Sequence, residues 1–229
     1  MAAVLTGALT SAPVRAIAHE RSQPSEPSWT QRINSGDAVG VMFDNLQRPR
    51  GTIRPHGLYV VIYRSGDGSW TASGPMNPDG YQANVTYPGG SLCKPEEGVL
   101  CIWGAAFGFD DAGQVLTGKT RVGRLQALTR RDRIAAGIPF SVTFDALSTN
   151  IGTIRAGAQY QVTFRPVERA WHAAGPVHPS GFQEHTDPAG SAVCDPAGYA
   201  LCIWGAAFRF DEQGRVTRDD SGVVGRIRQ

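Results

Sequence analysis

The octapeptide Leu100-Cys101-Ile102-Trp103-Gly104-Ala105-Ala106-Phe107 recurs letter for letter as Leu201-Cys202-Ile203-Trp204-Gly205-Ala206-Ala207-Phe208. The offset of 101 positions holds well beyond it. Val41 to Val115 overlays Val142 to Val216 without a gap, with about 33 of 75 residues identical. One residue is then inserted, and Val122-Gly123-Arg124-Leu125 matches Val223 or Val224 followed by Gly225-Arg226-Ile227. A period of this size belongs to a domain, not to a solenoid repeat. The chain is therefore two copies of one unit, and a residue kept in both serves something both share.

An apolar run of eight with no polar alternation reads as a strand buried on both faces, and Gly104 and Gly205 argue against a helix. Each such strand is expected to continue through Phe109 or Phe210. Phe140-Ser141-Val142-Thr143-Phe144 and Gln159 to Arg165 alternate with period two. They predict half-buried strands with Phe140, Val142, Phe144, Tyr160, Val162 and Phe164 facing a core. Unit one keeps that inward set as Val39, Val41, Phe43, Tyr59, Val61 and Tyr63. Turns are predicted at residues 74–80 and 175–181, rich in Gly and Pro, and at 110–113 and 211–214, each ending in Gly. Arg130-Arg131-Asp132-Arg133 reads as a short charged linker, about one helical turn. With 28 Gly, 15 Pro and only 18% charged residues, the expected fold is all-β. It comprises two homologous sandwich- or barrel-like repeats in tandem, related by a pseudo-twofold and packed closely together. The expected boundaries are a signal peptide at 1–18, a flexible tail at 19–37, repeat one at 38–125, a linker at 126–137 and repeat two at 138–229.

Four cysteines form two equally spaced pairs, Cys93/Cys101 and Cys194/Cys202. Duplication favours one bond within each unit, since a copied gene inherits its local bridge. Each bond would close a nine-residue loop, worth about 2.6 kcal/mol in the chain-entropy model. The C-x7-C spacing is too wide for a zinc knuckle, and disulfides imply an oxidising compartment. The apolar stretch Ala2 to Leu9 and the small-x-small Ala16-Ile17-Ala18 agree with a signal peptide lacking its positive end. The sequence thus points to a secreted protein with no membrane span. The net charge of +2 and the scatter of 22 basic residues, two of them lysines, give no broad field for nucleic acid.

The outward faces of the two copies differ. Unit one has Leu58, Val60 and Ile62 where unit two has Gln159, Gln161 and Thr163. An apolar face of this kind has to be covered, by unit two, the N-terminal segment, another subunit or a ligand. Leu58, Val60, Ile62, Trp70 and Trp171 are accordingly the candidate ligand-binding residues, the tryptophans by stacking on sugars. Trp103 and Trp204 read as core. His172, His178 and His185 cluster in unit two beside Glu184 and Asp187 and form a candidate metal set, although their spacing follows no established metal pattern. Asp44, Asp145, Arg54, Arg155, Arg64 and Arg165 are kept in both copies and read as structural Asp–Arg pairs. No G-x-S-x-G, P-loop or dinucleotide fingerprint is present, and no cofactor is implied. The functional expectation is a secreted, non-catalytic binding protein for an extracellular protein or carbohydrate. The alternatives are a secreted hydrolase with its site between the repeats, and a coat-type assembly protein.

Overall fold

A computed structural model of the chain describes residues 26–87, 92–189, 192–219 and 222–228. The expected signal peptide and the tail up to residue 25 lie outside the described residues. Two eight-stranded antiparallel sheets follow each other along the chain. The first contains β1 Val39–Met42, β2 Leu58–Arg64, β3 Ser69–Pro75, β4 Tyr81–Thr86, β5 Val99–Ile102, β6 Ala105–Phe109, β7 Gln114–Thr117 and β8 Thr120–Gln126. The second contains β9 Phe140–Thr143, β10 Gln159–Arg165, β11 Ala170–Pro176, β12 Phe182–Pro188, β13 Ala200–Ile203, β14 Ala206–Phe210, β15 Arg215–Thr217 and β16 Val223–Arg228.

The strand order is β4-β3-β2-β1-β8-β7-β6-β5, repeated as β12-β11-β10-β9-β16-β15-β14-β13. Within each sheet every strand pairs with its chain neighbour except β4 with β5 and β12 with β13, and β8 returns to β1 as β16 does to β9. Each sheet is therefore an up-and-down near-barrel with one unbonded seam. The inward residues are those that alternation predicts. Val41, Phe43, Tyr59 and Val61 in barrel one, and Val142, Phe144, Tyr160 and Val162 in barrel two, are almost wholly buried.

The repeated octapeptide is not one strand. Ile102 and Ala105 are paired across a two-residue turn, with Trp103 at φ +49° and Gly104 at φ +81°. Trp204 and Gly205 repeat it at +48° and +72°. Two successive left-handed residues are the signature of a type I′ hairpin, which matches the twist of its strands and favours Gly at the second position. So Leu100 to Ile102 and Ala105 to Phe107 lie antiparallel, and the run is apolar because both arms face a core.

Residues 28–37, expected within a flexible tail, are ordered as a helix and its caps. Helix α1 spans Trp29–Asn34 and α2 spans Arg130–Ala135. Ser28 and Gln31 form a capping box, and so do Thr129 and Asp132. Six residues are too few to hold a helix alone. Burial does the rest: Ile33 and Ile134 are about 1% and 0% exposed in the cores of barrels one and two. The helices lie at the same offset as the strands, so the duplicated element includes them, and 130–135 is the opening of repeat two instead of a mere linker.

Helix α2 also covers the apolar outer face of barrel one. Ser73 on β3 donates to the carbonyl of Ala136 at 3.3 Å. Leu58, Val60 and Tyr81 face Asp132, Ala135 and Ala136 across a small gap of about 120 Å³. Val60 is 6% exposed, whereas Gln161, its counterpart, is exposed. Leu58 and Ile62 are half-buried.

Two disulfides, Cys93–Cys101 and Cys194–Cys202, join the cysteines within each unit as expected. Among the described residues, no helix is long and apolar enough to cross a membrane.

Candidate functional site

The best-built surface feature lies beside the Trp-Gly hairpin of barrel one. Its foundation is Tyr59, whose hydroxyl accepts from the Arg54 N–H and donates to the Pro75 carbonyl, both at 2.7 Å. Tyr160 does the same with Arg155 and Pro176, at 2.7 and 2.8 Å. Burial pushes both phenols above their ordinary range, and the Arg54 and Arg155 N–H bonds only partly offset it. Gly74 and Gly175 pass directly over these rings, where a Cβ would stand 2.4 Å from the tyrosine Cδ1. No larger residue fits there.

On this post sits Trp103. Its ring meets Tyr59 edge-on, with centroids 5.3 Å apart at 81°, and its Nε1 donates to the Ala72 carbonyl at 3.1 Å. Facing it is the tight turn Arg50 to Ile53, whose end residues exchange two backbone hydrogen bonds of 3.1 Å. The Asn77 N–H bonds the Thr52 carbonyl at 2.8 Å and ties this turn to the β3–β4 hairpin.

Between turn and hairpin lies an open groove of about 510 Å³, lined by Arg50, Gly51, Thr52, Ile53, Trp103, Gly104 and Ala105. That is the size of a small-ligand site. Three other surface depressions, at about 100, 120 and 170 Å³, are too small for more than a few waters. Arg50 forms one wall. Its Cζ stands 4.8 Å above the Phe107 ring, and Nη1 donates to Thr117 Oγ1 at 3.0 Å. The lining offers a guanidinium, a hydroxyl, backbone groups and an indole. No carboxylate, imidazole or thiol is among these lining residues.

Barrel two repeats the frame with different side chains. Ile151 to Ile154 makes the same turn, with bonds of 2.9 Å, and the His178 N–H reaches the Thr153 carbonyl at 2.9 Å. Ile151 replaces Arg50. Here Asp187 latches the hairpin to the edge strand: its Oδ1 accepts from the Gly205 N–H at 2.7 Å. His185 Nε2 lies 3.4 Å from that oxygen, and its ring is nearly parallel to Trp204 at 6.3 Å. Asp187 Oδ2 and Trp204 Nε1 are buried without a protein partner.

The residues singled out in the sequence fall elsewhere. Trp70 and Trp171 are fully buried, and each donates its Nε1–H to the carbonyl of a disulfide cysteine, at 3.0 Å (Cys93) and 2.8 Å (Cys194). They tie the seam and present no ring to a sugar. Leu58 and Val60 form part of the seat of α2, and Ile62 is half-buried beyond it. The three histidines do not converge. His172 approaches Thr186 and Glu184, His178 Nδ1 faces the Asn150 amide at 3.0 Å, and His185 lies over Trp204. Pairing on β11 and β12 sets His172 and His185 on opposite faces of the ribbon, because His172 is opposite Thr186 and His185 opposite Ala173. Among the described residues, no three His, Cys, Asp or Glu side chains gather to hold a metal. Asp44 is structural, as expected, but its partners are Arg121 (2.9 Å to both oxygens) and Arg124 (2.7 Å). Arg54 pairs with Asp79, and Asp145 with Arg226.

Sequence reasoning missed Trp103 and Arg50. The available signal for Trp103 was Gly104, whose position after an aromatic residue inside an apolar run marks a two-residue hairpin. No family model matches the chain, and no curated protein or solved structure is significantly similar to it.

Proposed function

We propose that this protein is a secreted, non-catalytic binding protein that holds a carbohydrate in the groove between the Arg50–Ile53 turn and the Trp103–Gly104 hairpin. The observation that carries this reading is the immobilised indole. Trp103 is half-buried, fixed through its ring N–H and through Tyr59, and lines a groove otherwise furnished with hydrogen-bonding groups. Rigid aromatic surface beside a few polar groups suits the alternating apolar and hydroxyl faces of a sugar ring. The two disulfides support an oxidising compartment. The hydrolase alternative loses support because the unit-two histidines lie apart. The coat-type alternative loses its motive because α2 covers Val60.

The test is isothermal calorimetry of the full chain against a panel of oligosaccharides. Thr52 is exposed, so Thr52→Trp fills the groove without disturbing the core. Saturable binding is expected, weakened by about tenfold or more in Thr52→Trp and unchanged in Thr153→Trp, with all circular dichroism spectra alike. Absence of saturable binding, or binding indifferent to Thr52→Trp, overturns the reading.

A further inference from the structure

We infer that the barrel-one groove selects sugars carrying a negative charge, a carboxylate or a sulfate, through Arg50. This deepens the carbohydrate reading and rests on it. Arg50 lines the groove, and its guanidinium is held by two uncharged partners, the Phe107 face and the Thr117 hydroxyl. Among the described residues, no carboxylate lies within salt-bridge distance of it. A guanidinium has five N–H donors, and the Thr117 bond uses one. The remainder form a planar fork whose orientation is set before any ligand arrives. Such a fork matches an oxyanion in a two-point contact that a lone ammonium does not reproduce.

The second barrel supplies an internal control. Its turn has the same backbone bonds, but Ile151 stands where Arg50 does, and no guanidinium stacks on Phe208 among the described residues. The frame thus does not require an arginine at this position. Arg50 is present in one copy only, at a place where a bound molecule would meet it.

The probes are a uronic-acid tetrasaccharide and its carboxyl-reduced, neutral counterpart, titrated into wild type, Arg50→Ile and Arg50→Lys. Isoleucine is what the frame already accepts in barrel two, so the fold is expected to survive, as circular dichroism will show. Wild type is expected to bind the acidic sugar about tenfold tighter than the neutral one, in keeping with hydrogen bonds to a charged group. Raising the salt should narrow that preference. Arg50→Ile should bind the two sugars equally, and Arg50→Lys should keep only part of the difference. Equal affinities in wild type, or a preference that survives Arg50→Ile, overturn the inference and leave the carbohydrate reading standing. Failure of both sugars to bind wild type overturns the two together.

Discussion

Barrel one turns Leu58, Val60 and Ile62 outward where barrel two turns Gln159, Gln161 and Thr163, and α2 faces Leu58 and Val60 while Gln159 and Gln161 stay exposed. The interiors, by contrast, are nearly superposable in sequence: Phe43, Tyr59, Trp70 and Phe107 against Phe144, Tyr160, Trp171 and Phe208. The lesson is about where a duplicated sheet is free to change. Inward positions are fixed by packing, because a gap or an extra methylene in a dense core is felt at once. Outward positions answer only to what lies outside. For barrel one that includes α2, joined to β8 through only three residues, Ala127 to Thr129. Polar side chains at Leu58 and Val60 would be trapped under α2, so the contact between copies rests on changing one copy alone. Ser73 completes it, since its hydroxyl meets the Ala136 carbonyl at the end of α2. Barrel two has Ala174 there.

The comparison is most severely tested in the cores. Trp70→Ala and Trp171→Ala should each destabilise their own barrel by about 3–5 kcal/mol, and by similar amounts. Hydrogen exchange resolved barrel by barrel is the readout. Strongly unequal losses would show that the matched interiors are not energetically equivalent.

A smaller effect is expected on the outer faces. Val60→Gln installs the barrel-two residue under α2 and should cost about 1.5–3 kcal/mol in chemical denaturation. Gln161→Val buries nothing and should leave stability within about 0.5 kcal/mol. A neutral Val60→Gln would mean that the seat of α2 contributes nothing.

The smallest effect concerns how the two helices are docked. The Trp29 indole packs on Gly113 at the start of α1. At the start of α2, the Glu212 carboxylate accepts from the Arg130 and Arg131 N–H groups and from the Tyr199 hydroxyl. Burial pushes the Glu212 carboxyl up, but those three bonds and the Arg131 guanidinium outweigh it and hold the group below its ordinary value. A carboxyl depressed in the folded state adds stability that is complete above its unfolded pKa and fades as pH falls through the lower folded value. Acidification should therefore loosen the docking of α2 on barrel two through this group. Glu212→Gln should remove that part of the acid sensitivity and cost about 1 kcal/mol at neutral pH, the scale of a helix cap. Barrel-resolved exchange at pH 7 and pH 4 measures both.

Strands that alternate were legible from sequence because one face of each is buried: β10 runs from Gln159 to Arg165, the span that period two marks. The local disulfides were legible from duplication and spacing. What escaped were features in which local chemistry competes with pattern. Trp103 adopts a left-handed backbone that bulky residues seldom take, so an apolar run of eight concealed a hairpin. Helix α1 is six residues long, and its sign was the Ser28-x-x-Gln31 box, set in a polar stretch whose composition resembles a linker. Arg50 offered no signal at all. Its position depends on a stack on Phe107 and a bond to Thr117, 57 and 67 residues further along. The apolar triplet was legible as a face needing cover, but its partner was not, because the covering residues, Ala135 and Ala136, are too small to leave a mark in sequence.

The single seam in each strand order has a topological corollary. Severed between β4 and β5, a barrel would become two four-stranded meanders joined by the β1–β8 ladder and a shared core, with Trp70 reaching across to the Cys93 carbonyl and Trp103 to the Ala72 carbonyl as clasps. Both cysteines of each bridge would stay in the second half. Each half carries a continuous hydrogen-bonded sheet and one side of the core, which suits the scaffold to reconstitution from complementary fragments.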